Sequence, residues 1–358
     1  MWPDRRFLDL VGIEHPILLS PMAGSGTPDL GAAVSEAGGL GSLACAMLTT
    51  DQIRAGVGVI RQRTDKPLNV NFFVHKPPVA DAAREAAWRK SLAAYYAEFG
   101  IDPSTIPEGP GRLPFDEAAC DLMVELKPKV VSFHFGLPEK RLFERVKEAG
   151  CVTMSSATTV EEARWLEDHG VDAIIAQGSE AGGHRGMFLT DDIAAQPGTF
   201  ALVPQIVDAV KLPVIAAGAI ADARGVVAAL ALGASAAQIG TAYLFCDEAG
   251  IGPIHRAALK AARDDQTSLT NVFTGRPARG LLNRVMREHG PISPHAPEFP
   301  LATSAIQPLR SAAEAKGSGD FSPLWSGQAA ALGRGGPAAT FTRELIEGAR
   351  ERMKMLAR

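Results

Sequence analysis

Short apolar runs alternate with stretches of helical periodicity along the first two thirds of the chain. The runs Ile17-Leu18-Leu19 and Ala173-Ile174-Ile175-Ala176 are typical of strands buried on both faces. Between such runs, apolar positions recur three or four residues apart, and Thr27 followed by Pro28 is a typical helix start. The pattern predicts eight strands, at residues 17–19, 40–43, 68–73, 130–133, 152–155, 173–176, 213–217 and 236–239.

The connections between these predicted strands contain helices. Eight parallel strands joined by helices within about 240 residues is the arrangement of a TIM barrel. An open, doubly wound sheet is the structural alternative, but the G-x-G-x-x-G motif expected after its first strand is absent. We therefore predict an α/β fold, a TIM (β/α)8 barrel over residues 1–245.

Two regions depart from the alternation. Residues 76–115 combine a helical pattern around Ala82 to Phe99 with several prolines, including Pro107 and Pro110. We predict that they form an insertion after the third strand that acts as a lid. Residues 246–358 are predicted to form a helical extension packed on the barrel mouth, with helices at Pro253–Ala262, at Arg279–His289 and from Thr340, and a proline-rich passage at 291–308.

Composition narrows the class of protein. The 358 residues are 46% hydrophobic and carry a net charge of −4 without a basic face, so we expect neither a nucleic-acid nor a membrane partner. The four cysteines are far apart, and the segment MWPDRRFLDL lacks the apolar core of a signal peptide. A cytoplasmic protein is the expectation, and a homodimer is a further hypothesis.

Amides, glycines and hydroxyls follow the predicted strands, with no cluster of carboxylates. Because the carboxyl ends of the strands form the site in this fold, these residues are expected to meet. Their chemistry predicts no metal site, since a divalent cation would need several anionic oxygens, and it suits a neutral, planar, heterocyclic cofactor. The candidates are Met22, Ala23, Asn71, His134, Gln177, Gly182, Gly183, His184, Gly218, Gln238, Gly240 and Thr241.

Two features of this set carry specific chemistry. Loops after the seventh and eighth strands commonly bind phosphate, and Gly218 and Gly240 would allow a close approach there; the alternative is that they serve tight turns. His184, flanked by glycines at a strand end, is a candidate acid–base group, the alternative being a structural histidine. His134 is either a core histidine or part of a substrate pocket.

At these residues the chain resembles the nitronate monooxygenase family of FMN-dependent TIM barrels, most closely its bacterial class I members. The motifs are PILLSPMAG (16–24), Asn71 in LNVNFF, VSFHFG (131–136), AQGSEAGGHRG (176–186), VIAAGAI (214–220), QIGTAYL (238–244) and DFSPLWSGQAA (320–330). The resemblance implies noncovalent FMN and oxidation of alkyl nitronates, such as propionate 3-nitronate, with dioxygen to a carbonyl compound and nitrite.

The resemblance also assigns site residues. His184 would be catalytic, either as an imidazolium that holds the anionic nitronate or as a neutral base, and His134 and Lys316 would bind substrate; a solvated loop residue is the alternative for Lys316. Tyrosines are expected over the substrate pocket, with Trp325 as a further aromatic candidate. FMN would be held by Pro21, Met22, Ala23, Asn71, Gln177, Gly182, Gly183, Gly218, Gln238, Ile239, Gly240, Thr241, Gly327 and Gln328.

Two other functions compete with this one. An FMN-linked NAD(P)H:quinone reductase or enoyl-thioester reductase would share the barrel and many of the motifs, and reduction of the bound flavin by NAD(P)H would distinguish it. The second alternative is a barrel without redox chemistry, which binds a phosphate ligand or catalyses an isomerisation. A purified protein without flavin absorbance would favour this alternative.

Overall fold

Eight parallel strands with buried side chains form the wall of the barrel in a computed structural model that describes residues 2–79, 81–106 and 113–357. Each strand lies within two residues of its predicted bounds. They are β1 (Ile17–Leu19), β2 (Gly41–Ala44), β3 (Leu68–Phe73), β4 (Val130–His134), β5 (Val152–Ala157), β6 (Ala173–Gln177), β8 (Val214–Ala217) and β9 (Ala236–Ile239), with β7 (Gly183–His184) lying outside the wall.

The sheet closes into a barrel at β1, which pairs with β9 on one side and contacts the residue just before β2 on the other. The strand order is β1-β9-β8-β6-β5-β4-β3-β2, and β1 pairs with β9 through Leu18 and Gln238. On its other side, Leu18 bridges Leu40, and the Leu19 amide donates to the Leu40 carbonyl oxygen at 2.9 Å. The predicted TIM barrel is therefore confirmed.

Helices cover the outside of the wall. Thr27 caps the first of the helices that connect the strands, as predicted, because its hydroxyl accepts from the Leu30 amide at 3.0 Å. The helices are α1 (Arg6–Val11), α2 (Pro28–Glu36), α3 (Thr50–Arg63), α4 (Ala82–Ser91), α5 (Ala93–Phe99), α6 (Glu117–Leu126), α7 (Lys140–Glu148), α8 (Val160–Asp168), α9 (Thr199–Ala209), α10 (Ala223–Ala231), α11 (Pro253–Lys260), α12 (Arg284–His289), α13 (Ala302–Ala315) and α14 (Ala338–Leu356).

The last helix belongs to the barrel rather than to its mouth. We predicted a final helix within an extension on the barrel mouth. Instead, α14 packs between α10 and α2 on the outside of the barrel, where the helix after β9 is expected. Its buried residues, among them Phe341, Leu345 and Ile346, join the main hydrophobic core. Thus α14 takes the place of the eighth barrel helix, and residues 240–337 separate it from β9.

Local patterns misled the prediction within that segment. The helix expected from Arg279 begins only at Arg284, because Ala278–Leu281 is a strand, β11, paired with β10 (Thr267–Thr270) and β7. Pairing with two partners outweighs the helix propensity of this short run. Likewise, α13 runs through the passage predicted as proline-rich and contains Pro308.

The described part of the insertion packs against the C-terminal segment. Trp88 of α4 donates to the Ala302 carbonyl oxygen at 3.2 Å, and Tyr96 of α5 donates to that of Ala305 at 2.6 Å. These helices share a hydrophobic core with α13 and Phe321. Pro107 and Pro110 lie outside the described residues, and a lid movement stays a prediction.

None of the helices within the described ranges is long and apolar enough to cross a membrane.

Candidate active site

A cavity opens at the carboxyl ends of the barrel strands. The space that it encloses, counted out to the solvent at its mouth, is about 1330 Å³. The strand ends and loops bring together most of the predicted site residues in its lining: Pro21, Met22, Ala23, Asn71, His134, Gln177, Gly182, Gly183, His184, Gly218, Gln238, Gly240, Thr241 and Gly327.

Three predicted site residues do not line this cavity. The Ile239 side chain points into the core, and only its backbone carbonyl faces β1, where it accepts from the Ser20 amide at 2.8 Å. Gln328 is exposed, and its backbone amide donates to the Glu180 carbonyl oxygen. Lys316 ends α13 at the surface, with its ammonium 4.7 Å from the centre of the Phe99 ring. Lys316 therefore lies away from the cavity lining, and its substrate-binding role stays a prediction.

His184 is held at the edge of the cavity by a small antiparallel sheet. Its strand, β7, pairs with β11 through Ala278, so the C-terminal segment fixes the backbone of the histidine. The imidazole is buried, and its Nε2 lies 3.0 Å from the Thr274 hydroxyl oxygen. Four aromatic rings surround it at centroid distances of 5.3–6.0 Å, those of Phe73, Phe135, Phe299 and Trp325.

The His184 carbonyl oxygen is a shared acceptor for two side chains. Gln177 Nε2 donates to it at 3.0 Å, and His134 Nε2 donates to it at 3.1 Å. Gln177 Oε1 in turn accepts from the Gly186 amide at 2.8 Å. The amide of Gln177, predicted to contact a cofactor, is therefore used to hold the histidine loop.

His134 is a neutral imidazole with a defined tautomer. Because Nε2 donates to a carbonyl, Nδ1 is the acceptor, and the Ser156 hydroxyl donates to it at 3.0 Å. Burial lowers the pKa of His134 to about 3, and the positive charges of Arg276 and Arg185 act in the same direction. These contacts occupy both ring nitrogens and tie His134 to the His184 backbone, so its geometry is that of a positioning residue; its substrate-binding role stays a prediction.

Buried arginines lie behind the site. Arg185 is fully buried and donates to the backbone carbonyls of Gly178 and Gln177 at 2.6 and 2.7 Å, which ties the end of β6 to the histidine loop. Arg276 stacks on Phe135, with its guanidinium carbon 4.0 Å from the ring centre, and donates to the Met187 carbonyl oxygen. Desolvation lowers the pKa of Arg185 to about 10, so it remains a cation at neutral pH.

The far end of the cavity has unused polar atoms suited to a cofactor. Gln238 Oε1 is buried without a hydrogen-bond partner among the described residues. The Thr241 hydroxyl oxygen accepts from the Gly327 amide at 2.9 Å, which leaves its proton to donate. Thr241 also opens a short 3₁₀ helix, whose first backbone N–H groups have no partner within the helix.

Several residues of the site were missed from sequence. Thr274, Phe299 and His255 carry no local motif, and Phe73, although it ends the LNVNFF motif, was not singled out; their roles arise from contacts across the fold. His255 lines the cavity and donates to the Trp325 carbonyl oxygen at 3.0 Å, and burial lowers its pKa. The expected tyrosines are elsewhere: none of Tyr95, Tyr96 and Tyr243 lines this cavity, whereas Trp325 does.

A closed α/β barrel with an amide-rich cavity and a buried histidine at the carboxyl ends of its strands is the arrangement of a TIM-barrel enzyme. The family model described as nitronate monooxygenase matches residues 4–348. Nitronate monooxygenase from Pseudomonas aeruginosa is 44% identical over 351 residues, covering 96% of this chain and 98% of that one.

Solved structures agree with these matches. A nitroalkane oxidase from Streptomyces ansochromogenes superposes with a TM-score of 0.88 at 38% identity and covers 98% of this chain and 99% of that one. FabK from Thermotoga maritima superposes with a TM-score of 0.73 at 29% identity and covers 100% and 99%. The chain belongs to the nitronate monooxygenase family.

Proposed function

We propose that this protein is an FMN-dependent nitronate monooxygenase that oxidises alkyl nitronates with dioxygen to a carbonyl compound and nitrite. The observation that carries the proposal is the juxtaposition of His184 with a cavity of neutral amides, in which Gln238 Oε1 is buried without a partner among the described residues. Family membership and the nitroalkane oxidase fold support the same chemistry.

The donor set fits FMN. A flavin ring has an amide-like edge that offers an N–H to Gln238 Oε1 and oxygens to amide and hydroxyl donors. The loops after β8 and β9 carry Gly218, Gly240 and Thr241, which suit the phosphate end because glycine permits close backbone approach. When bound, the flavin supplies the electron-accepting and dioxygen-dependent chemistry.

The chain's own residues bind and orient the substrate. His184 Nε2 is within hydrogen-bonding distance of Thr274, and its backbone is fixed by Gln177 and His134, so the imidazole is preorganised at the cavity edge. As an imidazolium it would hold an anionic nitronate, and as a neutral imidazole it would remove the α-proton of a nitroalkane. The surrounding rings exclude water and strengthen either interaction.

Substitution of the histidine tests this proposal. We expect His184→Asn to retain bound flavin but to lose nitronate turnover by about 100-fold or more, the range of a lost acid–base or electrostatic group. Nitrite release and flavin absorbance measure the two properties separately. Unchanged turnover would remove His184 from the mechanism.

A second measurement separates the proposal from the reductase alternative. Anaerobic mixing with an alkyl nitronate should reduce the flavin, whereas mixing with NADH or NADPH should not. Rapid bleaching by a nicotinamide cofactor without a response to nitronate would favour the reductase, and a purified protein that binds no flavin would favour a barrel without redox chemistry.

A further inference from the structure

We propose that the preferred substrate is a nitronate with a single negative charge and an apolar tail, rather than a nitronate that also bears a carboxylate, such as propionate 3-nitronate. This inference rests on the proposed function. It follows from the aromatic side chains beside His184 and from the positions of the lysine and arginine side chains around the cavity.

The wall beside His184 is aromatic. Phe73 and Trp325 line the cavity, with ring centroids 5.8 and 5.5 Å from that of the imidazole. Phe299 and Phe135 stand behind them at 5.3 and 6.0 Å. A substrate whose reacting carbon lies near His184 therefore has hydrocarbon surface beside it, which favours burial of an alkyl tail.

Among the residues that the structure describes, the cavity lining offers no fixed cation to a second anionic group. This lining contains no lysine or arginine and no carboxylate. His134 and His255 both have a pKa lowered by burial, and each donates one ring N–H to a backbone carbonyl. The lysine expected to bind substrate, Lys316, is at the surface against Phe99. A carboxylate placed against the aromatic wall beside His184 would be desolvated without a cationic partner, which is unfavourable.

The nearby arginines support one negative charge but cannot grip a carboxylate. Arg185 directs its guanidinium to the carbonyls of Gln177 and Gly178, and Arg276 is stacked on Phe135 behind the lining. Both contribute positive potential at His134, and hence at the cavity edge. Neither lines the cavity, so neither can form the paired hydrogen bonds that recognise a carboxylate.

A matched pair of substrates tests the proposal. The nitronate of 1-nitro-3-methylbutane has the same heavy-atom skeleton as propionate 3-nitronate but carries an isopropyl group in place of the carboxylate. We expect its kcat/KM in the flavin-loaded enzyme to be about tenfold higher or more. Equal values, or a preference for propionate 3-nitronate, would overturn this inference and leave the proposed function intact. Failure to oxidise either nitronate would instead contradict the proposed function.

A pair of variants tests where the discrimination arises. Trp325→Lys introduces an ammonium into the aromatic wall, and Trp325→Met is its uncharged control. We expect the ratio of kcat/KM for propionate 3-nitronate over the alkyl nitronate to rise about fivefold or more in the lysine variant relative to the methionine variant. An unchanged ratio would contradict the proposal that the substrate tail lies against Trp325.

Discussion

At the scale of single residues, the site depends on how one imidazole is held. His184 Nε2 lies 3.0 Å from the Thr274 hydroxyl oxygen, and the backbone of the histidine is fixed by side chains from two barrel strands. Such support determines the ring orientation, which is a property that an acid–base group needs. Thr274 is therefore a positioning residue for His184.

Removal of this hydroxyl tests the positioning role. Thr274→Val keeps the shape of the side chain but deletes the partner of Nε2, so we expect kcat/KM for a nitronate to fall about tenfold, with flavin content unchanged. Thr274→Ser should restore most of the loss. Thr342→Val, at a buried threonine of α14 outside the cavity lining, is the matched control. Wild-type kinetics in Thr274→Val would contradict the assignment.

The buried His134 makes stability depend on pH. Its pKa is about 3 in the folded protein and 6.5 when exposed, so between these values the unfolded chain binds an additional proton. Stability is then fully present above pH 6.5 and is lost as the pH falls toward 3. We expect the free energy of unfolding to decrease in this window by up to about 1.4 kcal/mol per pH unit from this residue.

Denaturant unfolding of variants at pH 4, 5, 6 and 7 measures that slope. His134→Gln cannot titrate and should flatten it, whereas His295→Gln, at an exposed histidine, should leave it as in the wild type. An unchanged slope in the His134 variant would mean that His134 is protonated in the folded protein.

Sequence reasoning at this scale succeeded where a residue's neighbours in the chain carry the signal. His184 is flanked by glycines at a strand end, and Gln238 follows a buried run, so both could be assigned to the site from the pattern alone. Thr274 and Phe299 have no such context; they reach the imidazole only because the C-terminal segment folds back across the barrel. The position of Lys316 could not be read from the sequence because it depends on where α13 ends.

At the scale of elements, the passage after α13 packs tightly against the histidine loop. A Cβ added at Gly182 would lie 2.5 Å from the Gly327 amide nitrogen and 2.7 Å from the Ser326 carbonyl carbon. Both contacts are to backbone, which cannot move without shifting the whole passage. The two segments therefore close this side of the cavity together.

Two glycine substitutions allow a controlled test of this closure. We expect Gly182→Ala to weaken flavin binding at least tenfold, because the passage that carries Gly327 must move away. Gly58→Ala, in α3 and outside the cavity lining, is the control, since no atom lies within 4 Å of the added carbon. Flavin titration by fluorescence quenching compares the two, and equal affinities would show that the close packing is unimportant for the cofactor.

The same scale explains the elements that were predicted wrongly. Barrel strands were recognisable because parallel strands buried on both faces are continuous apolar runs. Strand β11 reads Ala-Arg-Gly-Leu and is too short and too polar to be recognised, and it is a strand because β10 and β7 flank it. Long-range pairing of this kind leaves no periodicity in the sequence.

At the scale of the whole molecule, the end of the chain completes the barrel. α14 packs between α10 and α2, and Phe341 stacks edge-on against Tyr243 at 5.0 Å. The Tyr243 hydroxyl shares a hydrogen bond with Thr342 at 2.8 Å, which couples this helix to the segment after β9. The barrel's outer ring therefore includes residues separated from β9 by almost a hundred positions.

Loss of this packing should destabilise the entire fold. We expect Phe341→Ala to lower the free energy of unfolding by about 3–5 kcal/mol, the usual cost of deleting a buried aromatic side chain. Phe200→Ala, at a phenylalanine that is 75% exposed, should change it by less than about 0.5 kcal/mol. Denaturant unfolding measures both, and a small effect at Phe341 would show that α14 is only loosely attached.

The pairing of β7 with β11 also bears on how the enzyme matures during synthesis. His184 leaves the ribosome almost a hundred residues before Ala278, its partner in the sheet. A nascent chain that has emerged only as far as β9 carries the histidine loop but lacks β11, the strand that pairs with it. The backbone tether of His184, like the eighth barrel helix, is therefore supplied by the last part of the chain to be synthesised.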